Sequence, residues 1–421
     1  MINKYIKKIT LSAIAFGISA FAWSCDSEKD GPKGPEKKET AQTTLLIYAV
    51  ATNSLSGNLV SDKNEMLKAA EKIDLDKNNI LVFETRYLND ASTGASTSKV
   101  SLLKLSKIEE EYDWETIQEF ENGYPSLDPS NINGIIQYVA ENYPADNKGL
   151  ILWSHSTASQ PYVSSRALED LPMMYSFGQD QINKNEFNQI NIDDLASSVP
   201  DNLFDYIWFD SCYMSNIETI YEFRDKCDAF IGYPTEVLEY GLPYDIVLPY
   251  LVGVKPDLKE AADLFFKYYA ESSYAAMRIA TIAVIDMNKI DLLADLFGEV
   301  SQELNVSSSS LMKYTRYSTG PFYDLGDYAK ALLKEQLNGS SEEIPSEEIE
   351  IKTEEFNKEW DDTLNECVIY KAATQYNFAG QLIDQDRYSG ISTHVYSFGT
   401  QDSDSESYYK SLGWYQTTFV K

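Results

Sequence analysis

Residues 204–214 read FDYIWFDSCYM. Phe204, Tyr206, Ile207, Trp208 and Phe209 have the aromatic and β-branched bias of a strand buried on both faces, as in a parallel sheet lying under helices. Cys212 follows at the carboxyl end of that strand. Open α/β sheets place ligands and reacting groups at this edge, because the loops that shape a crevice emerge there. Residues 150–156, LILWSHS, repeat the design: an apolar run, then His155. A thiol and an imidazole at two strand ends suggest a nucleophile and its base. With two histidines in the chain, His155 and His394, there are few candidates for the base.

Working outward, residues 44–50 and 79–87 read as strands, and residues 61–73 as a helix with Met66, Leu67, Ala70 and Ile73 at helical spacing. A Ser/Thr-rich loop over 91–98 leads into an amphipathic stretch ending near Glu121. A helix over 133–143 is stopped by Pro144. Strands alternating with helices predict a three-layer α/β sandwich with a mostly parallel sheet. Residues 156–200 are mostly polar and offer one helix, 193–198; so long a connection is usually functional or exposed. It contains Arg166 and Lys184. Beyond Cys212 come a helix over 216–226, with Ser215 as cap and Glu218 three residues on, a strand over 228–232 and the loop YPTEVLEYGLPY. Helices follow at 258–269, 289–304 and 323–337, and strands at 278–285, 370–376 and 391–398, the last holding His394 as a structural residue. Residues 342–366 read as an acidic helix with a solvated charged face. A final helix over 406–415 packs Tyr408, Leu412 and Trp414.

The ends carry an address. Residues 1–24 read as an export signal: Lys4, Lys7 and Lys8, then an apolar run too short for a comfortable membrane span. Its close, Ala22 to Cys25, resembles a bacterial lipobox, which implies cleavage before Cys25 and diacylation of its thiol, with palmitate-like chains. Such chains anchor a protein on a membrane surface. Residues 25–43 are charged, rich in Pro and Gly, and read as a disordered tether. Lipid-anchored attachment in the bacterial cell envelope is the expected location; Asp26, Glu28 and Asp30 resemble the acidic tracts of surface-exposed lipoproteins in Bacteroides-type bacteria, which points toward the outer-membrane surface, and the sequence leaves the membrane face open. Residues 44–255 then form the catalytic domain, and 256–421 a C-terminal α/β region packed on it. A formal charge of −31 excludes nucleic acid as a partner, since phosphate binding needs clustered Lys and Arg. Apart from Cys25, the cysteines are Cys212, Cys227 and Cys367. An odd number in an exported chain leaves a free thiol and argues against a disulfide scaffold. The sequence sets no oligomeric state.

An imidazole activates a thiol by taking its proton and holding the thiolate as an ion pair. The attack creates an oxyanion, and the backbone N–H groups of Cys212 and Ser156 are placed to receive it. Asp210 lies two residues before Cys212 and, by strand alternation, points to the same side, where one carboxylate could select a cationic side chain. A small buried hydrophobe, a structural histidine and an Asp capping its own turn are the inert readings of the same three residues.

GLILWSH, FDYIWFDSCYMSNIETIYEFRD, YPTEVLEYGLPYD and YYKSLGWYQTT resemble the clostripain family of cysteine peptidases, in the caspase-like clan. The most specific block is Asp210, Cys212 and Met214 followed by Glu218. The likeness runs from about residue 44 to the C-terminus and implies a caspase-like fold and an endopeptidase cutting after Arg or Lys. Carried over, His155 is the general base, Cys212 the nucleophile and Asp210 an acidic wall of the S1 pocket. Self-cleavage between His and Cys is common in the family; Arg166 and Lys184 are the candidate sites. No cofactor is implied; some members require calcium, and no cluster here is strong enough to assign to it. Two departures stand out. Ser156, Thr157 and Ala158 occupy a run that is glycine-rich in the family, and glycine adopts torsions that serine resists. Leu238, Glu239 and Tyr240 replace small residues ahead of Gly241, which bears on the shape of S1. A catalytically impaired binding lipoprotein on the same frame is the competing reading.

Overall fold

The structure of the protein is a computed structural model that describes residues 40–89, 96–156, 176–183, 186–315, 322–339, 344–396, 398 and 403–420. Cys25, Arg166 and Lys184 lie outside the described residues.

In chain order the strands are β1 (Ala41–Ala51), β2 (Asn78–Asn89), β3 (Ser96–Ile108), β4 (Glu111–Phe120), β5 (Ala145–Trp153), β6 (Phe177–Asn183), β7 (Glu186–Ile190), β8 (Phe204–Asp210), β9 (Cys227–Gly232), β10 (Thr281–Asp286), β11 (Phe322–Asp324), β12 (Val368–Ala373) and β13 (Ser392–His394). A 9-stranded sheet runs β12-β10-β9-β8-β5-β1-β2-β3-β4. Its centre, β2, β1, β5, β8 and β9, is parallel. Antiparallel strands flank it on both sides. β10 and β12, from beyond residue 256, complete this same sheet.

The helices are α1 (Ser56–Ala69), α2 (Pro129–Asn142), α3 (Ile192–Ser198), α4 (Ile217–Glu222), α5 (Tyr244–Val247), α6 (Leu258–Ala270), α7 (Ile290–Val300), α8 (Leu325–Asn338), α9 (Ser346–Cys367), α10 (Ser403–Ser411) and α11 (Gly413–Thr418). They cover both faces of the sheet, and β8 shows why its sequence has no polar alternation. Ile207 and Phe209 enter the core shared with α2, α3, α4, α7 and α8. Tyr206 and Trp208 enter the core shared with α1, α5 and α6. Each such burial is worth about 1.5–3 kcal/mol, so both faces select large apolar side chains.

Several elements differ from the sequence expectation for identifiable reasons. β1 begins at Ala41, inside the expected tether, because its first residues pair with β2 and β5. The amphipathic stretch is the β3–β4 hairpin at the sheet edge. The polar connection contains a second hairpin, β6–β7. Polar bonds hold it in place: Ser126 Oγ donates to Asp180 at 2.6 Å, Gln181 N–H to Thr52 O at 3.0 Å and Gln179 N–H to Ser154 Oγ at 3.2 Å. Such a hairpin leaves little hydrophobic periodicity to read. The helix after Cys212 is shorter than expected and its cap is Asn216, whose side chain accepts from Thr219 N–H at 3.4 Å. Ser215 Oγ instead donates to Gly390 O at 2.8 Å. The acidic helix α9 buries Phe356, Trp360, Leu364 and Cys367 along one stripe. The last helix is divided into α10 and α11 at Leu412, which lies between them. His394 is buried in β13.

Candidate active site

β5 and β8 are neighbours in parallel register, with Trp153 opposite Asp210 at their carboxyl ends. His155 and Cys212 each follow two residues later, so they leave the sheet level with each other. Adjacent strands lie about 4.8 Å apart. The two loops are tied directly: Ser156 Oγ donates to Cys212 O at 2.6 Å. β1, the other neighbour of β5, contributes from its following loop. Ser54 Oγ lies 2.9 Å from His155 Nε2. Three consecutive strand ends thus bring Ser54, His155 and Cys212 to one edge. His155 is half-buried, and burial lowers its pKa, which favours the neutral imidazole that a base requires.

Cys212 is also half-buried. Tyr213, which follows it, has φ +62°, a left-handed torsion costing a non-glycine residue on the order of 1 kcal/mol. Backbone contacts hold that turn. Tyr213 N–H donates to Thr235 O and Ser215 N–H to Tyr233 O, each at 3.0 Å, from the segment after β9. The thiol itself faces Val237 O at 3.8 Å. Ser156 is not among the described non-glycine residues with positive φ, which are Glu109, Asn202 and Tyr213. Serine therefore replaces glycine here without left-handed strain. Among the described residues no backbone–backbone hydrogen bond from the Ser156 N–H occurs.

Asp210 is deeply enclosed. Cys212 packs against the core that contains Phe209, whereas the Asp210 carboxylate lies among Tyr233 and Tyr244 of the opposite core. The Cys212 Sγ, however, lies 3.8 Å from the carbonyl of Val237, which packs on that same second core, so the end of β8 does not separate the two side chains. Asp210 is only 4% exposed. It accepts from Leu242 N–H and Tyr244 OH at 3.2 Å and from Tyr233 OH at 3.4 Å. Burial nevertheless pushes its pKa up to about 6. Beneath it lies a second acid, Asp62 of α1, 3% exposed, whose Oδ2 accepts from Trp153 Nε1–H at 2.9 Å. Burial, then the charges of Asp210 and Glu65, push Asp62 up to about 9. Two carboxyls in one low-dielectric setting do not both ionise readily. At neutral pH Asp62 holds its proton and Asp210 carries the charge. Gly241 roofs Asp210 at φ +57°; a Cβ there would meet Asp210 Oδ2 at 3.0 Å. Leu238, Glu239 and Tyr240 belong to the same roof, which Tyr269 pins by donating to Gly241 O at 2.5 Å.

The structure brings His155, Ser156 and Cys212 to one edge, with Asp210 behind it. Ser54 and Asp62 are the residues that sequence reasoning missed. Both had a signal: Ser54 follows a central strand at the same edge, and Asp62 falls within the buried stripe Leu59, Asp62, Met66, Ala69 of an otherwise apolar helix face. Among the described residues no group of three or more His, Cys, Asp or Glu could hold a metal ion. No described helix is long and apolar enough to cross a membrane.

A family model described as the clostripain family matches residues 47–418. The clostripain of Hathewaya histolytica is 24% identical over 230 residues, 50% of this chain; the match spans 42% of that protein's length. A secreted C11 cysteine protease from Bacteroides thetaiotaomicron, solved by X-ray with an irreversible peptide inhibitor, is 26% identical. It superposes with a TM-score of 0.70 over 89% of this chain and 98% of its own. An inactive zymogen C11 protease from Parabacteroides distasonis, also 26% identical, gives a TM-score of 0.67 over 91% of this chain and 99% of its own.

Proposed function

The chain belongs to the clostripain family, and from that premise we propose that it is a cysteine endopeptidase working through a Cys212–His155 dyad and cutting after Arg or Lys. The observation that carries the reading is the level exit of the two residues from paired strands, Trp153 opposite Asp210. With Ser54 engaging Nε2, Nδ1 is the ring nitrogen left for the thiol. It takes the Sγ proton; the thiolate attacks the scissile carbonyl carbon, and the oxyanion is received by the N–H groups of Ser156 and Cys212. The imidazolium then gives that proton to the leaving amine. Water, deprotonated by the same ring, hydrolyses the thioester and restores the thiol.

Selection for a cation at P1 is assigned to Asp210. A carboxylate buried enough to titrate at about 6 gains strongly when a guanidinium or ammonium is brought to it. Self-cleavage at Arg166 or Lys184 fits the long connection that carries them and a relative described as an inactive zymogen. Anchoring through an acylated Cys25 rests on the lipobox-like sequence and is read by intact mass from membranes, as two or three acyl chains on a chain starting at residue 25.

Protein lacking residues 1–24, assayed under reducing conditions on Arg, Lys and neutral fluorogenic peptides beside Cys212→Ala, tests the activity. Turnover of Arg and Lys peptides, abolished in the variant, is expected. No turnover by the wild type, with or without calcium, would favour the non-catalytic binding lipoprotein.

A further inference from the structure

The peptide unit joining Cys212 to Tyr213 is held at both ends by different strands. On one side Thr235 O, beyond β9, takes the Tyr213 N–H. On the other, Ser156 Oγ–H, beyond β5, reaches the Cys212 carbonyl at 2.6 Å. We propose that the Ser156 hydroxyl is a positioning residue for the nucleophile, fixing the backbone torsions that aim the Cys212 thiol and set the two oxyanion donors at a constant separation.

Ser156 is itself well anchored. It is 7% exposed and forms an antiparallel bridge with Phe177, and Gly178 N–H donates to the neighbouring His155 O at 3.0 Å. A hydroxyl on so fixed a backbone is a rigid donor. Its acceptor needs one, because the next residue, Tyr213, sits at φ +62°, a torsion that persists only where its surroundings over-determine it. Rotation of the Cys212–Tyr213 peptide toward an ordinary torsion would swing the Cys212 carbonyl off Ser156 and change ψ at the nucleophile. On the proposed mechanism the same residue also supplies, from its backbone, one N–H for the oxyanion. One side chain therefore links nucleophile, base strand and oxyanion donor, in a chain where glycine could have provided the N–H but not the link.

The proposal rests on the peptidase reading, and its test separates the two. Ser156→Ala, Ser156→Gly and Ser156→Thr are compared with wild type for kcat and KM on an Arg peptide. Melting temperature and the rate of Cys212 alkylation by iodoacetamide at pH 7 are measured on the same samples. Loss of the hydrogen bond predicts kcat about tenfold lower in the Ala and Gly variants, with KM within about twofold, and substantial recovery in the Thr variant, which keeps a hydroxyl. Alkylation should slow in Ala and Gly and recover in Thr. Activity of the Gly variant equal to or above wild type would overturn the proposal, as would equal losses in Ala and Thr. If no protein, wild type included, cleaves peptide, the peptidase reading fails and alkylation decides: equal rates in wild type, Ala and Gly overturn the positioning role. If either the Ala or the Gly variant fails to fold, the other is read against Ser156→Thr, and alkylation slowed in Thr as far as in that variant overturns the role.

Discussion

Asp62→Asn isolates the consequence of placing two acids under one roof. Asp62 is protonated near neutrality because burial and the charges of Asp210 and Glu65 raise it to about 9, while its bond from Trp153 Nε1–H at 2.9 Å can be kept by the amide oxygen. An acid whose folded pKa exceeds its unfolded value binds more protons in the native state. Its contribution to stability is therefore intact below about pH 4 and is lost as pH rises toward 9. Within that window one such group costs about 1.4 kcal/mol per pH unit, or about 3 kcal/mol between pH 6 and pH 8. Asparagine cannot titrate, so the variant should lose less stability over this interval by up to that amount. Urea unfolding of both proteins at pH 6, 7 and 8 measures the difference, with an unchanged m-value confirming that the same surface is exposed. Identical pH slopes in wild type and variant would refute the assignment of a shared, singly charged acid pair.

Ser54→Ala removes the partner of His155 Nε2 and should lower kcat/KM about tenfold with little change in melting temperature, seen in steady-state kinetics beside calorimetry. Gly241→Ala places a Cβ 3.0 Å from Asp210 Oδ2 at φ +57°; a loss of about 1–3 kcal/mol in chemical unfolding is expected. Asp210, raised to about 6, must be ionised to hold a cation. kcat/KM on an Arg peptide should accordingly fall as pH drops through about 6, more steeply than on its citrulline counterpart, and Asp210→Asn should erase the difference between them.

The parallel centre of the sheet was legible because β5 and β8 are buried on both faces and their apolar runs have no competing explanation. The same logic placed His155 and Cys212 at one edge. Alternation has no meaning past the end of β8 at Asp210, so the enclosure of the Asp210 carboxyl by Tyr233, Tyr244 and Leu242 could not be read from it. The β6–β7 hairpin was hidden because its core anchors, Phe177 and Ile190, are single apolar residues at its two ends, while Asp180, Gln181 and Gln179 dock the rest through polar bonds that no hydrophobic period reveals. The true helix cap, Asn216, was masked by an equally plausible Ser215 whose hydroxyl is taken by Gly390 O, far along the chain. Ser54 and Asp62 needed the strand order β8-β5-β1 before their positions had meaning.

The pairing of imidazole with thiol is tested most directly by the pH dependence of Cys212 alkylation, mapped by peptide mass, in wild type and His155→Ala. Cys227 and Cys367 are internal controls, since both are buried and their thiols are pushed up by that burial. The account predicts that Cys212 reacts first, with a rate that levels off below the pH of an ordinary thiol, and that removing the imidazole moves this transition upward by a unit or more, roughly. Superimposable profiles for the two proteins would contradict it.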